Sequence, residues 1–120
     1  MVTDLLKIDK KVQEVKGQKI AVVTLVGHVG PRTVLYLEEN VTRILHEGVK
    51  HLVLESSKLE YMNSTGAALI VKIVDMFSEV GGSVQMTNLS KAICDLLEVL
   101  GFLDRIIVVR ATVKEALAAI

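Results

Sequence analysis

His51–Ile73 reads HLVLESSKLEYMNSTGAALIVKI, and the way this stretch divides settles the class of fold. The run from His51 to Leu54 is short and apolar, as a buried central strand requires. A polar loop follows, and Asn63-Ser64-Thr65-Gly66 then opens a segment in which Leu69, Ile70, Ile73, Val74, Phe77 and Val80 recur on one helical face. Gly81 and Gly82 end that helix. Asn63 or Ser64 is its cap, since Asn and Ser are favoured there. The first N–H groups of a helix are unpaired and partly positive, so hydroxyls at this point also stand where an anion is tolerated.

Upstream, Lys7 to Val15 alternates loosely, Lys16 to Lys19 holds a Gly-containing turn, and Ile20 to Val26 is a second apolar run. The two runs predict a hairpin. GHVGPR (Gly27–Arg32) breaks the pattern as a loop. From Thr33 onward Val34, Leu37, Val41, Ile44 and Leu45 follow helical spacing until Gly48. Downstream, Ser83 to Thr87 alternates as a strand, and Ser90 to Leu100 is a third helix with Ile93, Leu96, Leu97 and Leu100 inward. Ile106 to Val109 makes a last strand. Thr112 and Glu115 are spaced as a capping box for a closing helix packed through Val113, Ala116, Leu117 and Ile120.

The order ββαβαβαβα predicts an α/β fold: a mixed sheet, mostly parallel with an antiparallel edge strand, flanked by helices, in a single domain over 1–120. In such sheets sites gather beyond the carboxyl ends of the strands, here Ser56, Ser57, Asn63, Ser64, Thr65, Asn88 and Ser90.

Composition removes several function classes. The chain has 120 residues, half of them hydrophobic, enough for one real core and too few for two. Fourteen basic residues balance fourteen acidic ones, with two Tyr and two Phe, so neither a phosphate-backbone footprint nor a base-stacking surface is visible. Nucleic acid is not an expected partner. The apolar runs are too short to cross a membrane, so no membrane insertion is expected. The single cysteine, Cys94, forms no internal disulfide, and no signal peptide is expected before the first strand. A reducing cytoplasm is the expected compartment.

Catalytic chemistry finds no support. There is no Gly-x-Ser-x-Gly elbow around Ser64 or Ser56, and His28, His46 and His51 fall in a loop, on a helix and at a strand start. No Gly-x-x-x-x-Gly-Lys loop is present, the histidines lack metal-ligand spacing, and Cys94 sits beside an apolar stripe. Neither a cofactor nor a metal is expected. Met62, Val71, Met76 and Tyr36 read instead as exposed hydrophobes of a docking patch around Ser64.

The succession LVLE, SSKLEYMNSTG, helix, Gly81-Gly82, strand, TNLS, helix, LGFLDRI, strand, TVKEAL resembles a STAS domain, and within that family the bacterial anti-sigma factor antagonists. The resemblance covers about Ile8 to Leu117 and is strongest from Leu52 to Gly66. It implies a non-enzymatic regulator of transcription: the unmodified domain binds an anti-sigma factor that is also a serine kinase and so frees a sigma factor. Phosphorylation then breaks that complex, and a serine phosphatase would reset it. Position by position, Ser64 matches the phosphoacceptor, Thr65 the small residue after it and a second candidate acceptor, and Gly66 the motif glycine. The implied partner surface is Met62, Asn63, Ser64, Thr65, Gly66, Ala68 and Val71. Asn63 replaces the family's usual Asp, which keeps a cap but removes a carboxylate, and Glu55 stands where the strand often ends in Asp. The family also contains accessory domains of lipid or anion transporters and components of stress-sensing assemblies, which dock without phosphate.

Overall fold

The computed structural model describes residues 5–120. Strand β1 (Leu6–Val15) turns at Lys16-Gly17, both at positive φ (54° and 79°), into β2 (Gln18–Val29). The primed geometry matches the twist of the two strands, and they pair antiparallel from Leu6↔Gly27 to Val15↔Gln18. Helix α1 (Val34–His46), β3 (His51–Met62), α2 (Ser64–Glu79), β4 (Ser83–Thr87), α3 (Lys91–Val99), β5 (Val108–Arg110) and α4 (Val113–Ala118) follow. The sheet runs β1-β2-β3-β4-β5, with every pair after the first parallel, as expected.

Side-chain alternation assigns the two faces of the sheet. Val23, Leu25, Leu52, Leu54, Val84 and Met86 point to one side and form the main core with residues of α1, α2 and α3, among them Leu37, Val41, Ile70, Phe77 and Leu97. Ile20 and Val53 point to the other side, against Ala116 of α4. Four-residue spacing puts Ile73 and Phe77 on the buried face of α2, and both are fully buried. Val80, expected on that inward face, is 39 % exposed because it lies beyond the last turn as the C-cap.

The largest departure from expectation is the length of β2 and β3. The apolar runs place their ends near Val26 and Glu55, yet the strands continue side by side to Val29 and Met62. The residues expected as the loops GHV and SSKLEYM are therefore strand, and His28 lies in β2. Register shifts between Thr24 and Val26, and between Gly27 and His28, break the two-residue periodicity that would have marked them. Beyond Glu55↔Thr87 strand β3 outruns β4, so the end of the β1–β2–β3 ribbon projects past the rest of the sheet. The last strand also shifts, starting at Val108 rather than Ile106, whose side chain is exposed.

Candidate functional site

Asn63 leaves β3 in extended conformation, and its side-chain Oδ1 accepts a hydrogen bond from the Gly66 N–H at 3.0 Å. The cap is thus Asn63, not Ser64. Ser64 and Thr65 occupy the first two helical positions, and both are exposed. Ala68 and Asp75 are exposed on the same side of α2, with Val71 half-buried between them.

The next residue fixes this helix start to its neighbour. A Cβ built on Gly66 would lie 2.2 Å from the carbonyl oxygen of Val29, so only glycine lets the first turn of α2 rest directly on the end of β2. The chain then turns through Gly30-Pro31-Arg32 into α1, and the Thr33 hydroxyl ties that turn internally. Thr33 Oγ1 accepts from the Gly30 N–H at 3.0 Å and donates to the His28 carbonyl at 2.9 Å. Thr33 is 2 % exposed, so these bonds replace water that cannot reach it. The Gly30 α-carbon faces Asn63: a Cβ there would stand 3.4 Å from Asn63 Oδ1 and 3.6 Å from the Tyr61 ring. The β2–α1 turn, 29–33, and the β3–α2 junction, 62–66, therefore pack into one surface with Ser64 at its edge.

Sequence reasoning overlooked Thr33, although a Thr just before an apolar helical run is itself a boundary signal. It also overlooked the pair His28–Tyr61, whose ring centroids are 5.5 Å apart on adjacent strands. Met62, expected in the exposed partner patch, is only 6 % exposed and belongs to the core, because β3 continues through it with its side chain inward. Gly66 is buried too, and Tyr36, Val71 and Met76 are half-buried against the core.

The polar cluster expected at the strand ends divides into three. Ser56 is buried and donates to its neighbour Leu54, while Ser57 donates to Glu55 Oε1 at 2.9 Å within β3. Ser90 caps α3, accepting from the Ile93 N–H, and Asn88 makes a left-handed turn at φ 58°. Only Asn63, Ser64 and Thr65 lie at the projecting end. On α3, Cys94 is half-buried, and desolvation with the nearby charges of Asp95, Asp104 and Glu98 raises its pKa, the opposite of the shift an activated thiolate needs. Among the described residues no group of three or more His, Cys, Asp or Glu could hold a metal ion, and no helix is long and apolar enough to cross a membrane.

The STAS domain family model matches residues 10–116. The chain belongs to the STAS domain family. Solved STAS-like structures share its fold. An anti-sigma factor antagonist from Mycobacterium paratuberculosis is 19 % identical with a TM-score of 0.77, over 94 % of this chain and 93 % of that one. The anti-sigma factor antagonist SpoIIAA in its unphosphorylated form is 18 % identical with a TM-score of 0.73, over 92 % and 95 %. The phosphorylated form of SpoIIAA, a Bacillus cell fate determinant, is 20 % identical with a TM-score of 0.65, over 92 % and 98 %.

Proposed function

We propose that this STAS domain is a non-enzymatic anti-sigma factor antagonist, switched off by phosphorylation of Ser64, with Thr65 as the second acceptor. The observation that carries the reading is an exposed serine on the first turn of α2, at the edge of a surface tied together by Gly66, Thr33 and Asn63. A phosphoserine adds a charge of about −1.5 to −2 and three strong acceptors, which the unpaired N–H groups of a helix N-terminus tolerate. The fold therefore survives modification. A docked partner does not, because the new charge must be desolvated against groups that fitted a neutral hydroxyl. A loss of about 2.7 kcal/mol weakens binding roughly a hundredfold. The partner in this reading is an anti-sigma factor serine kinase, opposed by a serine phosphatase.

The test has two parts. Phosphopeptide mass spectrometry on protein from its own cells, across Leu59–Lys72, is expected to find phosphate on Ser64. Ser64→Ala should retain the anti-sigma factor encoded in the same genome, and Ser64→Asp should bind it roughly a hundredfold more weakly with the thermal midpoint nearly unchanged. An unmodified peptide, co-purifying with a membrane transporter, would replace this reading with the accessory-domain role.

A further inference from the structure

The sheet is covered unequally on its two faces. Helices α1, α2 and α3 pack on one face and share the main core, whereas α4 is the helix that packs on the other. Of the six residues of α4 only Ala116 is buried, against three in α1 and six in α2. The buried cluster on that side is Ile20, Val53 and Ala116, with Val113, Leu117 and Ile120 half-buried beside them. A helix this short is far below the length that holds in water by itself, so α4 stays helical only while it is docked.

Among the described residues one side chain ties α4 to the sheet by a hydrogen bond. Gln85 of β4, 5 % exposed, donates from Nε2 to the Ala116 carbonyl at 3.0 Å. Its Oε1 accepts from Arg110 Nε, at the end of β5, at 2.9 Å. A guanidinium donates and never accepts, so Arg110 draws the carbonyl end of the Gln85 amide toward itself and leaves the NH2 end facing Ala116. The remaining polar bonds of this segment are internal to it. Thr112 accepts from the Glu115 N–H, and the Glu115 carboxylate accepts from the Ala111 N–H. Those bonds move with the helix.

We propose that α4 is a strap that opens as one unit while the main core stays folded, and that Arg110 is a positioning residue holding the Gln85 amide in the orientation that latches Ala116. Elements with little buried apolar surface open locally at a lower free energy than the whole domain. The open form bares Ile20 and Val53, both fully buried when the strap is closed, on the back of β2 and β3. The Ser64 surface belongs to the opposite side of the sheet, where α2 packs, and its ties run through Asn63, Thr33 and Gly66. Opening therefore leaves that surface in place.

The test is native-state hydrogen exchange on the full chain in urea below the unfolding transition. Amides of Ala116–Ala119 should share one protection level, exchange roughly a hundredfold faster than those of Val22–Leu25 and Leu52–Leu54, and respond less steeply to urea, because less surface is exposed. Gln85→Glu puts a carboxylate in place of the donor to Ala116 and should speed exchange in α4 about tenfold. Arg110→Ala, at an exposed position, frees the amide to turn and should speed it by about threefold or more. Both variants should leave the β2 and β3 amides and the Gly66 amide unchanged. If Gln85→Glu loosens the whole domain, Arg110→Ala decides by the same comparison. Protection in α4 equal to that of β2 and β3, or falling residue by residue toward Ile120 as in a fraying end, overturns the proposal. So does an α4 that is unmoved in either variant, or an Arg110→Ala chain in which all amides speed up alike.

Discussion

The two ends of the parallel strands are built differently. At the amino end His51 is bonded on both ring nitrogens, Nε2 to Gln18 Oε1 at 2.8 Å and Nδ1 to the Ser83 hydroxyl at 2.7 Å, so one imidazole links the starts of β2, β3 and β4. Lys50 Nζ reaches the Val80 carbonyl at the end of α2. At the carboxyl end the backbone is fixed as firmly, by Asn63, Thr33 and Gly66, but the hydroxyls of Ser64 and Thr65 face solvent. One end uses its polar side chains to close the sheet. The other holds its backbone with a few of them and leaves the rest available for chemistry.

Two glycines provide the sharpest way to break this contrast. A Cβ on Gly82 would meet the Lys50 carbonyl oxygen at 1.7 Å, and one on Gly66 the Val29 oxygen at 2.2 Å. Because backbone must move in both cases, Gly82→Ala and Gly66→Ala should each cost about 3 kcal/mol in urea unfolding. The contrast lies in binding. For the folded fraction, Gly82→Ala should leave partner affinity unchanged and Gly66→Ala should lower it, because only the latter moves Ser64 relative to the Gly30 turn.

Thr33→Val should cost about 2 kcal/mol, since it leaves the buried Gly30 N–H without its acceptor. Hydrogen exchange should show faster opening at Gly30–Val34 than at Ser83. Asn63→Ala removes the cap of α2 and should cost about 1 kcal/mol, whereas Asn63→Asp should retain the cap and stability. If the carboxylate that Asn63 lacks serves the kinase, Asn63→Asp also speeds phosphorylation; an unchanged rate would show the replacement to be neutral.

The smallest effect concerns the closed end. Burial, and next the charge of Lys50, lower the His51 pKa below its ordinary value. A histidine with a depressed folded pKa binds protons more readily when unfolded, so its contribution is present above about pH 6.5 and is lost as pH falls from there toward the folded pKa. Urea midpoints should therefore decline between neutral and mildly acidic pH in the native chain, and less steeply in His51→Gln.

The helices were legible in the sequence because glycines stop α1, α2 and α3, and because Asn63, Ser90 and Thr112 cap α2, α3 and α4, each accepting from the helix backbone. The exposure of Ser64 was legible for the same reason: a cap marks a helix start, and a start marks the exposed positions after it, whereas the acceptor role proposed for Ser64 comes from the family resemblance and not from the cap. The approach to the site was not. From Leu54 the inward residues of β3 are Ser56, Leu59 and Met62, a spacing that neither a two-residue strand nor a helix produces. Two register shifts cause it, one opposite Leu25 and one between Gly27 and His28, and no pattern in one strand records a bulge that depends on its neighbour. Met62 was misplaced by the same irregularities.

Strand β1 carries one more consequence. It is the ten-residue open edge of the sheet, and such an edge is a template on which further copies of a chain can polymerise. Here Lys7, Asp9, Lys10, Lys11 and Glu14 are all exposed along it, and Lys10 is held 2.9 Å from Glu47. Bringing a second β1 alongside would strip water from these charges and crowd lysines together. The charges thus oppose edge-to-edge pairing along the longest strand at the margin of the sheet.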